Sequence, residues 1–213
     1  MADDLRLHCF AESGNAYKAA LALELAGLDW TPVHVDFFRG ATRSPEFRAV
    51  NAMGEVPVLE TPEGPVTQSG AILDWVAETT GRFGWSDGTE RRSVLRWLLF
   101  DSQKVSGQAG PLRFNLNFLP EEKRVPAVND FISMRLNSAL KVLEAVLSES
   151  DWLALGRPTI ADLACCGYLF YPEPFGFDRT DFPAIDAWLT RIQRLDGWAH
   201  PYDLMERAFP PAA

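Results

Sequence analysis

The sequence predicts an α/β domain followed by an all-helical domain. Up to residue 82, short strand patterns alternate with helix patterns, an order that builds a layered α/β sheet. From Thr89 onward the spacing of apolar residues is helical only. Gly and polar residues cluster between these two regions, so we predict domains at residues 1–82 and 89–213, joined by a linker at 83–88.

The first half of the α/β domain has the pattern of strand, helix and strand. Residues 5–10 alternate in polarity, which predicts a strand, and residues 17–26 form an Ala- and Leu-rich helix that Gly27 terminates. Residues 31–38 are β-branched and aromatic, which is typical of a second strand. Strands joined through a crossover helix pair in parallel, so we expect these two strands to be parallel.

The second half of this domain adds a short helix at residues 45–50, strands at 56–61 and 65–68, and a helix at 70–80. Ser69 is predicted to be the N-cap of the last helix, because serine is a preferred residue at that position. The complete order, β-α-β-α-β-β-α, predicts a thioredoxin-like domain.

The all-helical domain is predicted to contain helices at residues 89–105, 159–170 and 183–195, and a longer helix built around an apolar stripe. The stripe recurs at steps of three and four residues, which places it on one face of a helix. Its members are Val125, Val128, Ile132, Leu136, Leu140, Leu143 and Leu147.

The stretch Gly156-Arg-Pro-Thr-Ile-Ala-Asp162-Leu contains a capping box at the start of the 159–170 helix. The Thr159 hydroxyl can accept a hydrogen bond from the first helical turn, and the Asp162 carboxylate can accept the Thr159 N–H. Capping accounts for both polar residues, so we predict a structural role for Asp162 and not a catalytic one.

Composition argues against several classes of protein. Of the 213 residues, 47% are hydrophobic and 23% are charged, which is typical of a folded globular protein. The net charge of −9, with no basic run, argues against a nucleic-acid partner. No apolar run approaches the roughly 20 residues that a membrane span needs, and residues 1–4 lack a signal-peptide charge pattern. We therefore expect a cytoplasmic protein with no membrane association.

Neither a metal site nor a nucleotide site is expected. His8, His34 and His200 are scattered without metal-ligand spacing, and no Gly-rich phosphate loop is present. The cysteines form no Cys-x-x-Cys pair and lie in apolar segments, which predicts inert core thiols, with Cys9 as a redox residue being the alternative. The cysteines are Cys9, Cys165 and Cys166.

Two stretches together predict a binding site for a small anionic peptide. In Asn51-Ala-Met-Gly-Glu-Val-Pro-Val-Leu59, Pro57 cannot donate to a sheet, so unpaired backbone beside it can pair with an extended ligand. In Gln68-Ser69-Gly-Ala-Ile72 a strand runs into a helix N-terminus, whose free N–H groups attract an anion.

These stretches, the two domains and the capping box, in this order, resemble the cytosolic glutathione transferases over essentially the whole chain. Ala52 replaces the proline of the family's Asn-Pro-x-Gly-x-Val-Pro-x-Leu stretch, and Gln68-Ser69-Gly-Ala-Ile72 matches its Glu/Gln-Ser-x-Ala-Ile stretch. The resemblance implies that the first domain binds glutathione as a substrate.

The resemblance also implies a set of glutathione contacts. Gln68 and Ser69 would hold the γ-glutamyl carboxylate, and the backbone of Val56, beside Pro57, would pair with the cysteinyl unit. Arg39 and Arg43 lie in the loop that the family uses near the glycine carboxylate, and Arg43 is the preferred candidate to neutralise it.

In this family the residue that activates the thiol lies at the corner between the first strand and the first helix. Here the corner is Ser13-Gly-Asn15-Ala-Tyr17-Lys18. It is similar to the serine-type transferases, and also to bacterial members with a Thr-Pro-Asn-Gly-x-Lys corner that favour disulfide chemistry. Both comparisons make Ser13 the first candidate donor to sulfur and Asn15 the second, whereas Tyr17 lies too far into the helix.

A small hydrophobic electrophile as second substrate and a homodimer are further implications of the resemblance. Phe114 and Tyr168 are the candidates for contact with the electrophile, with Phe118 and Tyr171 beside them. The dimer is expected to pack the helix that begins at Thr89 across a two-fold axis. No metal or nucleotide cofactor is implied.

Three functions therefore compete. The first is a glutathione transferase that ionises the glutathione thiol for attack on a hydrophobic electrophile, a reaction of detoxification. The second is a glutathione-dependent disulfide-bond reductase, which the Ser-x-Asn-x-x-Lys corner favours. The third is a non-catalytic binding protein of the same fold, which is disfavoured because a scaffold has no need of an anion site.

Overall fold

The structure is a computed structural model that describes residues 5–209. These residues form two units, 5–82 together with 196–209, and 83–195. The prediction placed residues 196–213 in the helical domain, but their described part belongs to the first unit. Long-range hydrogen bonds hold it there, because the Tyr17 hydroxyl donates to the Ala199 carbonyl (2.9 Å) and the Ala11 N–H donates to the Glu206 carbonyl (2.9 Å). Residues 210–213 lie outside the described part.

The first unit is built on a four-stranded sheet in the order β2-β1-β3-β4. Strands β1 and β2 are parallel, as predicted, and β3 runs antiparallel to both β1 and β4. With its helices in the β-α-β-α-β-β-α order, the unit confirms the predicted thioredoxin-like fold. The strands are β1 (Leu5–Cys9), β2 (Trp30–His34), β3 (Val58–Thr61) and β4 (Gly64–Thr67).

The helices between these strands differ in detail from the prediction. Helix α1 (Gly14–Ala26) begins earlier than expected, because Ser13 caps it. Helices α2 (Pro45–Val50) and α3 (Ser69–Thr80) follow at the expected places. Strand β2 is shorter than predicted, since the chain leaves the sheet after His34 and turns into short 3₁₀ helices. The 3₁₀ helices are Phe37–Arg39 and Ala41–Arg43.

The second unit is helical throughout its regular structure, and the helix predicted at 89–105 is present but continues beyond residue 105. A π-helical turn, Asp101–Val105, joins α4 to α5, and the Ser106 N–H donates to the Asp101 carbonyl across this turn. The chain therefore stays helical even though Pro111 lies inside α5. The helices are α4 (Gly88–Phe100), α5 (Ser106–Asn117), α6 (Pro126–Leu147), α7 (Ile160–Cys165) and α8 (Pro183–Gln193), and α9 (Pro201–Leu204) follows in the first unit.

The apolar stripe of the long helix α6 is confirmed from Leu136 to Leu147, where its leucines are buried. Val125 and Val128 are exposed, so the stripe does not extend to the start of the helix. At its other end the helix caps a neighbour, because Glu144 accepts the Ala184 and Ile185 N–H groups at the start of α8. Within residues 5–209, no helix combines the length and the apolarity that crossing a membrane requires.

The predicted capping box is present at the start of α7. Asp162 Oδ2 accepts the Thr159 N–H (2.9 Å) and hydroxyl (3.1 Å). Asp162 Oδ1 accepts two more hydrogen bonds, from the Leu153 N–H (3.0 Å) and the Trp188 Nε1–H (3.0 Å). The fully buried carboxylate therefore joins α7 to α8 and to the preceding loop.

A surface ion pair gives the second unit a testable dependence on pH. Hydrogen bonds from the Arg157 guanidinium, together with the Ser86 N–H, lower the pKa of Glu90 to about 2. Because this folded-state pKa is depressed, the pair stabilises the fold above the ordinary glutamate pKa of about 4.3, and its contribution disappears as the pH falls through about 2.

The variant Glu90→Gln should therefore unfold more readily than the wild type at neutral pH, and the difference should shrink as the pH falls from about 4 to about 2. Urea unfolding at a series of pH values measures this. In an Arg157→Met background the same substitution should show a smaller acid-dependent difference, because only the Ser86 N–H then remains to lower the pKa of Glu90, and a difference of undiminished size would contradict the assignment.

Candidate functional site

The corner between β1 and α1 is ordered by the cap of α1. Ser13 is buried, its N–H donates to the Phe10 carbonyl (3.1 Å), and its Oγ accepts the Ala16 N–H (3.2 Å). A serine hydroxyl that accepts one hydrogen bond still carries a proton to donate. Ser13 is therefore both a helix cap and a potential donor at this corner.

Asn15 lies at the centre of the candidate site. Its Oδ1 accepts from Lys18 Nζ (3.0 Å) and from Ser69 Oγ (3.4 Å). An ammonium group can only donate, so the side of the amide that faces Lys18 is its oxygen. The Nδ2 group consequently points away from Lys18 and is oriented to donate. The Lys18 side chain, only 1% exposed, adds a buried positive charge behind the amide.

The strand-to-helix corner at Gln68 and Ser69 differs from the predicted cap. Gln68 occupies the N-cap position with φ 71° and ψ 125°, and Ser69 is already the first helical residue. The prediction that Ser69 is the N-cap is wrong, because the left-handed backbone of Gln68 turns the chain into α3 one residue earlier. No side chain caps this helix. Its first intrahelical bond is Ile72 N–H to Gln68 O, so the N–H groups of the first turn face outward.

The loop before β3 supports the Gln68 side chain. Asn51 Nδ2 donates to the Glu55 carbonyl (2.7 Å), and Asn51 Oδ1 accepts the Met53 N–H (3.1 Å), so Asn51 fixes the loop from within. Gln68 Nε2 donates to Glu55 Oε2 (3.0 Å), a contact that links the loop to α3. Glu55 and Gln68 are 13 residues apart, so no local pattern in the sequence indicates this contact.

The peptide bond between Val56 and Pro57 is cis. Strand β3 pairs with its neighbours only from Val58 onward, so the Val56 backbone lies just outside the sheet ladder. This position is the one that the prediction required for pairing with an extended ligand.

Comparison with known protein families identifies the family to which the chain belongs. The model of the glutathione S-transferase N-terminal domain matches residues 4–78, and that of the C-terminal domain matches residues 114–196. The disulfide-bond oxidoreductase YfcG of Escherichia coli is 30% identical over 192 residues, which cover 86% of this chain and 88% of that protein. The chain belongs to the cytosolic glutathione transferase family.

Solved structures of family members agree with this assignment. A glutathione S-transferase from Xanthobacter autotrophicus is 33% identical, with a TM-score of 0.86 over 94% of this chain and 98% of the other. The glutathione transferase URE2P8 from Phanerochaete chrysosporium, solved with oxidized glutathione, is 25% identical, with a TM-score of 0.84 over 95% of each chain. The chain spans only 45% of the length of another relative, elongation factor 1-gamma 3 of rice.

Arg43 and the neighbouring arginine are less closely tied to this site. Arg43 ends the 3₁₀ helix Ala41–Arg43, and its side chain is exposed. Arg39 pairs instead with Asp36 (3.4 Å). The role of Arg43 toward a glycine carboxylate stays a prediction.

The aromatic candidates for the second substrate belong to the second unit. Tyr168 is buried and packs so closely on Gly110 that a Cβ there would lie 2.9 Å from its hydroxyl. Tyr171 lies under the guanidinium of Arg113, 3.9 Å from its Cζ to the ring centre. Phe114 is half-buried. Packing within the second unit explains the positions of Tyr168 and Tyr171. Contact of Phe114 and Tyr168 with a substrate stays a prediction.

The cysteines contribute no nucleophile to the site. All three are buried, as predicted. Burial raises the pKa of the Cys9 thiol to about 12, so it stays protonated at neutral pH, which disfavours the redox alternative. Among residues 5–209, no group of three or more His, Cys, Asp and Glu side chains is placed to hold a metal ion.

Proposed function

We propose that this protein is a glutathione transferase that ionises the thiol of bound glutathione at the Ser13–Asn15 corner. The observation that carries the proposal is the contact between Asn15 Oδ1 and Ser69 Oγ (3.4 Å), which joins residues 54 positions apart. It brings the N-terminus of α3, which can attract an anion, and the amide of Asn15 together in one unit. A ligand with a carboxylate at one end and a thiol nearby could bind the α3 terminus through the carboxylate and the α1 corner through the thiol.

The tripeptide would bind along the edge of the first unit. Its γ-glutamyl carboxylate meets the outward N–H groups at the start of α3, and the Ser69 hydroxyl can turn from Asn15 to this carboxylate. Gln68 contributes its amide, and the backbone of Val56 pairs with the cysteinyl unit. The sulfur then lies at the α1 corner, where Asn15 Nδ2 and the Ser13 hydroxyl are the donors.

Thiol ionisation is the step that these donors assist. A free cysteine thiol has a pKa of about 8.5 and is only a few per cent ionised at neutral pH. Hydrogen bonds donated to sulfur and the charge of Lys18 both favour the thiolate. The thiolate then forms a C–S bond to a hydrophobic electrophile, whose leaving group departs with the electron pair of the broken bond.

A disulfide-bond reductase is the second candidate. The 30% identity to the E. coli disulfide-bond oxidoreductase covers most of both chains, and Lys18 contacts Asn15 in the Ser-x-Asn-x-x-Lys corner. In this reaction the glutathione thiolate attacks the glutathionyl sulfur of a mixed disulfide. Oxidised glutathione forms, and the other thiolate leaves and takes up a proton.

Two measurements test the proposal and separate the candidates. Calorimetric titration with glutathione should show binding, and its absence would favour the non-catalytic binding protein. Turnover of a chlorodinitrobenzene-type electrophile should exceed turnover of a mixed disulfide, each measured at the same glutathione concentration. The reverse order would replace the transferase by the reductase.

Gln68 should separate ligand binding from backbone strain. Both Gln68→Ala and Gln68→Gly remove the amide, so both should weaken glutathione binding by about tenfold. Only glycine adopts a φ of 71° without steric cost, so Gln68→Gly should be about 1 kcal/mol more stable than Gln68→Ala. Calorimetry and urea unfolding measure the two effects. Equal stabilities would show that Gln68 carries no backbone strain.

We also propose that a second copy of the chain covers an exposed apolar face of α4. Leu95 and Leu99 are 46% and 64% exposed, and Arg92 and Arg96 flank them. Leu99→Asp should convert a dimer into a monomer in sedimentation experiments, because a carboxylate would have to be buried at the two-fold contact. Val142, 44% exposed on α6, offers the control Val142→Asp, which should leave the dimer intact. Dimers of both variants would exclude this face.

A further inference from the structure

The amide of Gln68 donates to two very different acceptors on the loop before β3. Gln68 Nε2 lies 3.0 Å from Glu55 Oε2 and 3.0 Å from the thioether sulfur of Met53. A primary amide nitrogen carries two N–H groups, so these two contacts engage both of them. The amide that we propose for the γ-glutamyl carboxylate is therefore held by this loop.

The two contacts differ in strength, and the contact with Met53 is the weaker one. A hydrogen bond to a carboxylate is charge-assisted, whereas a thioether sulfur is a weak acceptor. A ligand carboxylate can therefore replace the Met53 sulfur as the acceptor of one N–H and leave the bond from Gln68 to Glu55 in place. The strength of the sulfur contact consequently determines how readily the amide turns to a ligand.

The Met53 side chain is accessible from solvent and is kept beside Gln68. The residue is 58% exposed, and its backbone N–H donates to Asn51 Oδ1 (3.1 Å), which fixes its place in the loop. Of the three methionines within residues 5–209, Met134 on α6 is also exposed, at 61%, and Met205 is buried. Met53 thus combines an exposed thioether with a contact to a proposed ligand-binding amide, and Met134 is equally exposed in the other unit.

A hydroperoxide can convert this thioether into a sulfoxide. The sulfur lone pair attacks one peroxide oxygen, an S–O bond forms, the O–O bond breaks, and water or an alcohol leaves. The sulfur is oxidised by two electrons and the peroxide is reduced. The product is polar and its oxygen accepts hydrogen bonds far better than a thioether does, and sulfoxide reductases reverse the change.

We propose that Met53 is a site of reversible sulfoxidation by hydroperoxides, and that its oxidation weakens glutathione binding through Gln68. The sulfoxide oxygen keeps one N–H of the amide that the thioether would release to the γ-glutamyl carboxylate. The inference rests on the proposed function and adds a modification that regulates the same site. An exposed methionine without this contact would be oxidised with no effect on the ligand.

The test measures glutathione affinity before and after oxidation of the full chain. The protein is treated with hydrogen peroxide and desalted, peptide mapping by mass spectrometry locates the added oxygen, and calorimetry gives the dissociation constant of glutathione. Oxidation of Met53 should raise this constant about three- to tenfold, the effect of losing one hydrogen bond. Treatment with a methionine sulfoxide reductase and dithiothreitol should restore the original value.

Three variants assign the effect, each read as the ratio of dissociation constants after and before treatment. Met53→Leu keeps the size of the side chain but cannot be oxidised, so its ratio should be close to one. Met134→Leu removes the other exposed thioether and should keep the wild-type ratio. Gln68→Ala retains Met53 but lacks the amide, so oxidation should cause no further loss of affinity.

The outcomes distinguish the inference from the proposed function. If the untreated wild type does not bind glutathione, glutathione recognition itself is wrong and the inference is overturned with it. If glutathione binds, three results overturn the inference alone. These are an unmodified Met53 under conditions that oxidise Met134, an oxidised Met53 with unchanged affinity, and a loss of affinity that persists in Met53→Leu. A reversible loss in the wild type that Met53→Leu and Gln68→Ala both lack supports it.

Discussion

Asn15→Ala should lower the rate of thiolate chemistry with glutathione by about 10- to 100-fold, because it removes the side-chain donor that we propose for the sulfur. The pKa of the bound thiol should rise toward its ordinary value of about 8.5. The thiolate absorbance of the glutathione complex, followed against pH, measures this directly. The affinity for glutathione should change much less, because the carboxylate contacts that we propose at Ser69 and the α3 terminus do not involve Asn15.

The isosteric variant Asn15→Asp is the sharper comparison. A carboxylate can still accept from Lys18 and Ser69, so the packing of the corner is preserved. It cannot donate to sulfur and adds a negative charge, so thiol ionisation should be at least as poor as in Asn15→Ala. Ser13→Ala tests the other donor. If Ser13→Ala and Asn15→Ala both leave the thiolate absorbance unchanged, the proposed activation of the thiol is wrong.

Much of the first unit could be predicted because its signals are local. The alternation in 5–10, the Ala- and Leu-rich helix before Gly27 and the β-branched run after it each specify an element within a few residues. The capping box at Thr159 is equally local, and it is present as predicted. Short-range patterns of this kind predict the order of the strands and helices, and that order indicates the topology of the sheet.

The features that were missed depend on contacts between distant residues. Glu12 and Arg207 are 195 positions apart, and no local pattern indicates that the C-terminal segment returns to the first unit. The cap assignment of Ser69 was wrong by one residue because a left-handed glutamine is rare and its conformation is imposed by the surrounding structure. The helix that continues through Pro111 shows the same override of local preference by packing.

Within the candidate site, the sequence predicted which residues take part but not which hydrogen bonds they make with one another. The sequence indicated Ser13, Asn15, Gln68 and Ser69, but it left open how the two corners relate. Lys18 follows Asn15 by three residues, a spacing that puts both side chains on one face of the helix. This spacing is the signal in the sequence that could have predicted their contact.

Asp162→Ala should be among the most destabilising substitutions in the second unit, with a loss of about 3–5 kcal/mol in the free energy of unfolding. The variant leaves four donors without their acceptor, three N–H groups and the Thr159 hydroxyl. Burial raises the pKa of the Asp162 carboxyl, and the four donated hydrogen bonds oppose that rise. Burying the Asp162 carboxyl costs free energy, but removing it costs more, because its four donors lose their acceptor.

A matched pair of controls isolates the effect of burial. Asp178 caps the exposed 3₁₀ helix Arg179–Asp181, so Asp178→Ala should destabilise the protein much less than Asp162→Ala. Asp162→Asn keeps one acceptor oxygen and the shape of the side chain, so its loss should fall between those of the two alanine variants. Urea unfolding measures all three. If Asp162→Ala costs no more than Asp178→Ala, the buried carboxylate does not hold α7 and α8 together, because its four hydrogen bonds would then contribute no more than one exposed cap.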